Sequence, residues 1–168
     1  ALNDGLIHIM FGIEATQHAA PNSYVGYFAN QIRAAMMTPN AHRNRYLQHI
    51  FLGHFLLRDA PTYYQGAVSA QYTLHKGQLD SLSDLGNIEF VSLSNILDWS
   101  TLSYGQHLAK KLEELPSGAH ILIRQLNNNQ DWAAIFGSQF TTHHGLEKQC
   151  TSRQRGVFYN QYRVLIRR

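Results

Sequence analysis

The sequence at residues 119–124 is Ala-His-Ile-Leu-Ile-Arg, a short run dominated by branched apolar side chains. A run of this length and composition is typical of a strand buried on both faces of a parallel sheet. Residues 88–93, Ile-Glu-Phe-Val-Ser-Leu, form a second such run, and residues 102–115 between the two place leucines on one helical face. Strand, helix and strand in this order predict a parallel β-α-β unit.

The residues before this unit predict one more strand and helix, and before those only helices. Residues 71–75 are rich in strand-forming side chains, and residues 78–85 have the pattern of a short helix. Before residue 60, apolar side chains recur at helical spacing in three segments separated by prolines. We therefore divide the chain into a helical insertion or cap at residues 1–60 and an α/β domain at residues 61–168.

The last part of the chain alternates in the way that strands do. We expect two antiparallel strands, at about residues 145–151 and 157–166, on the edge of the sheet. The fold class predicted from the whole pattern is α/β. It is a partial Rossmann-like sheet of parallel strands that ends in a C-terminal antiparallel hairpin, preceded by an N-terminal helical segment.

Composition narrows the class of protein. Hydrophobic residues make up 44% of the 168 and charged residues 15%, which excludes a disordered chain. The longest apolar runs fall far short of the roughly 20 residues of a transmembrane helix. Cys150 is the only cysteine, which excludes an intrachain disulfide, and the histidines lack the spacing of a metal site. The sequence predicts a cytoplasmic protein without a metal.

The charge is mildly positive and unevenly spread. The net charge is +3, and all six charged residues after Glu147 are basic. This end can contact phosphate or lipid headgroups, which allows peripheral membrane contact, or it can be a solvated edge of the sheet. It contains no nucleic-acid-binding module, so we expect no nucleic-acid partner.

The loop after the strand at residues 88–93 carries the most chemistry. Ligands of open α/β sheets bind beyond the carboxyl ends of the strands, where the loops converge. Ser94 and Asn95 offer short hydrogen-bonding groups there, Asp98 a carboxylate, and Trp99 a flat face with one N–H donor. The alternative is that Asp98 caps the following helix and Trp99 belongs to the core.

This loop also carries a resemblance to a known family. Residues 90–99, with the helix after them and residues 116–124, resemble the second half of a class I S-adenosylmethionine-dependent methyltransferase fold. More narrowly, they resemble the BtaA-like family, the S-adenosylmethionine:diacylglycerol 3-amino-3-carboxypropyl transferases and their relatives. Three weaker stretches fit that family and are Phe11-Gly12 with residues 44–47 and Gly53, residues 61–64, and Arg155 with Phe158-Tyr159.

The resemblance implies transfer of an aminocarboxypropyl or a methyl group from S-adenosylmethionine to a hydroxyl group of a lipid or small molecule. It implies roles for nine residues. The expected cofactor-binding residues are Gln78, Leu79, Ser94, Asn95 and Trp99; the expected catalytic residues are Asp98, Asn95 and Tyr159; the expected acceptor-binding residues are Arg124 and Arg155. Asp98 would orient the acceptor or take its proton.

The sequence departs from the family in lacking the first strand and its glycine-rich turn, so we expect the carboxyl-terminal part of a larger transferase, inactive by itself. A parallel edge left uncovered in this way favours a homodimer. The competing hypothesis is a non-catalytic transferase-like domain for protein or lipid-surface association, which would expose Tyr24, Tyr27, Phe28 and Phe51.

Overall fold

The computed structural model describes residues 3–66 and 69–168. The described residues form an α/β protein with one four-stranded mixed sheet, as predicted at this level. The helices are α1 (Asp4–Phe11), α2 (Tyr24–Met36), α3 (Arg45–Leu52), α4 (Thr62–Gln65), α5 (Leu102–Lys111) and α6 (His144–Arg153). The strands are β1 (Phe90–Ser94), β2 (His120–Gln125), β3 (Phe140–Thr142) and β4 (Gln161–Arg167).

The chain divides into two compact units. The first takes its described residues from 1–25, 76–154 and 159–168, and the second from 26–75 and 155–158. The first unit contains the whole sheet, and the second contains α3 and α4.

The sheet has the strand order β1-β2-β4-β3. β1 and β2 are parallel and joined through α5, which confirms the predicted β-α-β unit. β4 is antiparallel to both of its neighbours, β2 and β3. The chain therefore inserts its last strand between two strands that run the other way. The expectation that this strand lies on the edge of the sheet is wrong.

The predicted strand at residues 145–151 is wrong, because these residues lie in α6. The His143 side chain caps this helix by accepting a hydrogen bond of 3.1 Å from the backbone N–H of Leu146. The buried Glu147 fixes the helix to the sheet by accepting a bond of 3.2 Å from the N–H of Val164. The strand that pairs with β4 on this side is β3, so helix α6 separates the two strands and they do not form a hairpin.

Two further elements that were predicted to precede β1 also differ from the structure. Residues 71–75 form no strand, and the predicted helix at 78–85 is reduced to one 3₁₀ turn, Leu79–Ser81. Residues 71–75 are exposed throughout. Strand propensity expresses packing against neighbouring strands, and an exposed segment lacks that packing.

The core of the first unit lies on one face of the sheet, between the sheet, α5 and the segment Trp132–Gln139. Its most completely buried apolar members are Leu85, Leu97, Leu108, Leu112, Ile121, Ile123, Trp132 and Leu165. Gly105 lets α5 approach closely, since a Cβ at this position would lie 3.0 Å from Cδ1 of Ile135 and 3.2 Å from Cζ3 of Trp132.

Buried polar side chains form several of the hydrogen bonds within the second unit. Asn44 caps α3 by accepting a hydrogen bond of 3.0 Å from the N–H of Tyr46. The buried carboxylate of Asp59 accepts bonds from Arg43 at 3.1 Å and from Gln48 at 2.9 Å. These bonds hold the pKa of Asp59 below its ordinary value, the bond from Gln48 having the largest effect.

The helices predicted before residue 60 are present but shorter. The third of the three predicted helical segments is limited to α3, which ends at Gly53 with φ of 73°. A positive φ is readily adopted by glycine and ends helices for that reason.

Candidate functional site

The carboxyl end of β1 has an irregular backbone. Its pairing with β2 shifts register between Ser92 and Ser94, and Ser94 has a φ of 52°. This left-handed conformation is uncommon for a residue with a Cβ, and such residues concentrate at functional sites. The strained residue lies at the edge of the sheet where ligands of open α/β sheets bind.

Ser94 forms a cluster with two side chains from distant parts of the chain. Its Oγ is 3.1 Å from the hydroxyl oxygen of Tyr159, and the guanidinium carbon of Arg124 lies 5.0 Å from the centroid of the Tyr159 ring. Arg124 also donates a hydrogen bond of 3.2 Å to Oγ of Ser92. We call Ser92, Ser94, Arg124 and Tyr159 the hydroxyl–arginine cluster. Within the described residues Arg124 forms no ion pair, so its charge is not matched by a carboxylate.

Asn95 lies next to this cluster and begins the turn that leads to Asp98. Its backbone carbonyl accepts a hydrogen bond of 3.0 Å from the N–H of Asp98, and its Oδ1 is 3.4 Å from Oγ of Ser94. Four of the predicted residues are thus brought together: Ser94, Asn95, Arg124 and Tyr159.

Asp98 lies between two loops, and within the described part of the chain no hydrogen bond links its side chain to the hydroxyl–arginine cluster. Its carboxylate is buried and links the loop after β1 to the loop after β2: Oδ2 accepts a hydrogen bond of 2.7 Å from the N–H of Leu126, and Oδ1 one of 2.7 Å from Nδ2 of Asn128. It does not cap α5, since the side chain of Thr101 does so. Burial raises the pKa of the Asp98 carboxyl from 3.8 to about 6, although both hydrogen bonds favour the ionised form.

Asn128 is the centre of this link. Its Nδ2 donates both to Asp98 and, at 2.8 Å, to the carbonyl of Leu126. Its Oδ1 accepts bonds of 3.1 Å from Nε2 of Gln125 and from the N–H of Gln130. All of the amide's hydrogen-bonding capacity is used, so Asn128 fixes the shape of the loop.

A cleft of about 590 Å³ opens beside this link at the carboxyl edge of the sheet. Its lining is mainly polar and contains no acidic residue, lysine or arginine; it consists of Gln17, His18, Ala19, Ala20, Ser23, Asn127, Asn128, Asn129, Gln130 and Asn160. His18 is held by a hydrogen bond of 2.9 Å between Nε2 and the carbonyl of Ser100, and its ring packs edge-on against Trp132. A carbonyl only accepts, so Nε2 carries the proton.

The remaining predicted residues lie apart from the cluster. Trp99 is half-buried and packs edge-on against Phe11, with ring centroids 5.8 Å apart. Gln78 is exposed and precedes the 3₁₀ turn beside α5, and Leu79 in that turn packs on the core. Arg155 belongs to the second unit, where it donates a hydrogen bond of 3.0 Å to the carbonyl of Arg43.

Sequence reasoning missed the lining of the cleft. Residues 127–130, Asn-Asn-Asn-Gln, directly follow β2, and this position at the carboxyl end of a predicted parallel strand was a usable signal. His18 could not have been found in the same way, because it approaches the site from a segment far away in the sequence.

Among the described residues, no three His, Cys, Asp or Glu side chains are placed to hold a metal ion, and no helix of this part of the chain has the length and apolar character needed to cross a membrane. Comparison of the chain with protein-family models, with curated proteins and with solved structures finds no match.

Proposed function

We propose that this chain forms the acceptor side of an S-adenosylmethionine-dependent transferase that acts on a hydroxyl group of a lipid or small molecule. The order of the strands supports the proposal. Only β4 runs against the other strands, and it lies between β2 and β3. The resemblance implies parallel strands followed by antiparallel pairing at the C-terminus, and β4 is an antiparallel C-terminal strand, although it is not part of a hairpin.

The observation that carries the proposal is the convergence of Ser94, Arg124 and Tyr159 at the carboxyl end of β1. When bound, S-adenosylmethionine supplies a carbon that a nucleophile can attack with departure of a neutral thioether. The protein must then align the acceptor and remove its proton. Two mutually hydrogen-bonded hydroxyls can orient an acceptor hydroxyl, and the guanidinium of Arg124 can hold an anionic group of the acceptor.

The described residues fit one side of the cofactor better than the other. Ser94 and Asn95 present hydrogen-bonding groups at the strand end where the cofactor would lie. The four described glycines with positive φ, Gly12, Gly53, Gly118 and Gly137, do not follow a strand. The glycine-rich turn for the methionine part therefore has no counterpart within the described residues.

Asp98 acts in this proposal through the loop that it holds. Both of its oxygens accept hydrogen bonds from the loop after β2, and this loop lines the cleft. We therefore assign it the role of a positioning residue. Its role as a base stays a prediction, supported by a pKa of about 6, which allows the carboxylate to take up a proton near neutral pH.

A transfer assay on the full-length protein tests the function. The protein is incubated with S-adenosylmethionine labelled either in the methyl or in the carboxyl group, with diacylglycerol or glycerol as acceptor. We expect label in an acceptor, and the position of the label tells the two reactions apart. Tyr159→Phe should lower the rate about tenfold, the effect of one lost hydrogen bond in the transition state.

Tyr72→Phe is the matched control, since Tyr72 is 80% exposed, and it should leave the rate unchanged. Absence of S-adenosylmethionine binding by the full-length protein in calorimetry would reject the proposed function. Equal losses for the two tyrosine variants would reject the site.

A further inference from the structure

The second unit carries a surface on which large apolar side chains are exposed. We call it the aromatic face and define it by Tyr46, Phe51, Leu52, Leu57, Tyr63 and Tyr64, in α3, in α4 and in the segment between them. Phe51 is 60% exposed, Leu57 92% and Tyr63 70%. Single exposed apolar residues are normal, but several from neighbouring elements mark an interaction surface.

Ring contacts connect α3 to α4 beside this surface. The His49 ring of α3 stacks on Phe55 with centroids 5.1 Å apart, and Phe55 meets the Tyr64 ring of α4 edge-on at 5.8 Å. Leu47 and Gln48 of α3 are buried, whereas Phe51 and Leu52, one turn further along the same side of the helix, are exposed. The exposed apolar side chains of α3 thus continue from its buried residues.

The charge of the same unit is strongly positive. Its sequence contains five arginines, Arg33, Arg43, Arg45, Arg58 and Arg155, and one acidic residue, Asp59, which gives +4 with histidines neutral. The chain as a whole has +3, so the rest of it contributes −1. The single acid is already committed to Arg43 at 3.1 Å and Arg58 at 3.6 Å.

We propose that the aromatic face binds the surface of an anionic lipid bilayer. Tyrosine, phenylalanine and leucine side chains insert at the level of the headgroups, and arginines beside them attract acidic lipids. Charge complementarity favours this occupant over a second copy of the chain. A symmetric dimer through this face would bring two surfaces of +4 together, and such like-charge contact is unfavourable.

Vesicle flotation tests the proposal directly. The full chain is mixed with vesicles of phosphatidylcholine alone, or with 30% phosphatidylserine, at 50 mM and 500 mM NaCl. We expect binding to the anionic vesicles at low salt, at least tenfold weaker binding without phosphatidylserine, and a loss of at least tenfold at high salt, because salt screens the arginines.

Matched variants locate the surface. Phe51→Ser should weaken binding about tenfold, whereas Ile9→Ser, at a residue 84% exposed in the first unit, should change it less than about twofold. Arg58→Gln should weaken binding about fivefold, whereas Lys148→Gln, on the exposed side of α6, should leave it unchanged. Phe51→Leu should retain binding and thus guard against an effect of misfolding.

Three results would overturn the proposal. The first is no flotation with anionic vesicles at low salt, and the second is equal binding to neutral and anionic vesicles. The third is an equal loss for Phe51→Ser and Ile9→Ser. Binding to a soluble acidic protein with no binding to vesicles would assign the face to a protein partner instead. These outcomes are independent of the transfer assay, since a chain without transferase activity can still bind the bilayer.

Discussion

The side-chain amide of Asn128 donates a hydrogen bond of 2.7 Å to Oδ1 of Asp98 across 30 residues of chain. This bond joins the turn after β1 to the loop after β2, and the second of these lines the cleft at the carboxyl edge of the sheet. The shape of the cleft therefore depends on the buried pair Asp98 and Asn128. Neither residue belongs to the hydroxyl–arginine cluster. Such a pair is expected to be sensitive to pH and to substitution.

Asp98→Asn should remove a pH-dependent part of the stability. The pKa of Asp98 is raised to about 6 in the folded protein from 3.8. The folded state therefore holds the proton more tightly, and this contribution is present below pH 3.8 and lost as pH rises through 6. Relative to the variant, the unmodified protein should lose on the order of 2–3 kcal/mol between pH 4 and pH 7.

Urea unfolding of the two proteins at several pH values measures this difference. Asp59 does not interfere, because its lowered pKa gives a contribution that is present throughout this range and is lost only at lower pH. Parallel stability curves for the two proteins from pH 4 to pH 7 would contradict the raised pKa.

Asn128→Ala should destabilise the first unit by about 3 kcal/mol, because it leaves one oxygen of the buried Asp98 carboxylate without a partner and removes one of the two hydrogen bonds that Nε2 of Gln125 donates. Asn129→Ala is the control, since Asn129 is exposed, and it should change stability by less than about 0.5 kcal/mol. Chemical denaturation measures both. Equal stabilities for the two variants would mean that the link between the loops is not a major support.

Gly105→Ala should destabilise the protein by about 1–3 kcal/mol even though alanine is the better helix former. The new Cβ would lie 3.0 Å from Cδ1 of Ile135 and 3.2 Å from Cζ3 of Trp132, which is tighter than most Cβ contacts, so these side chains would have to move. Gly26→Ala, within α2, meets no atom within 4 Å and should stabilise by up to about 1 kcal/mol. Opposite signs in thermal unfolding are expected; two gains would show that α5 has room for a side chain.

Ser94→Gly should separate stability from activity. Glycine adopts the φ of 52° without the cost that a Cβ brings, so the variant should be up to about 1 kcal/mol more stable than Ser94→Ala. Both variants lose the hydroxyl next to Tyr159 and should lose transfer activity to a similar extent. Calorimetric unfolding and the transfer assay check the two halves, and an alanine variant as stable as the glycine variant would argue against strain.

The competing hypothesis of a non-catalytic domain expects four side chains to be exposed, and the structure exposes one of them. Tyr24 is buried, where its hydroxyl donates a hydrogen bond of 2.8 Å to the carbonyl of Ala15, and burial raises its pKa to about 12. Tyr27 and Phe28 are half-buried. Phe51 alone of the four is exposed: it lies on the same side of α3 as the buried Leu47 but one turn further on, in the last turn of the helix. Helical spacing identifies the apolar residues of a helix but does not say which of them another element covers.

The local sequence pattern was enough to predict those helices and strands whose own residues carry a clear periodic signal. β1, α5 and β2 were all predicted, because buried β-branched runs and an amphipathic helix leave a periodic signal. Helix α6 was missed, since a histidine side chain caps it and its few apolar residues give no helical period. The contacts that build the site lie beyond local pattern altogether: Ser94 and Tyr159 are separated by 65 residues, and only the sheet brings them together.

Photolabelling with methyl-labelled S-adenosylmethionine is the most direct test of the claim that the carboxyl edge of this sheet is a transferase site. Ultraviolet irradiation of the full-length protein, tryptic digestion and peptide sequencing locate the label. Within this chain, residues 77–110 form one tryptic peptide that contains all five expected cofactor-binding residues. The account predicts label in this peptide, displaced by unlabelled S-adenosylhomocysteine. Label that is confined to other peptides of the chain, or that is not displaced, would contradict it.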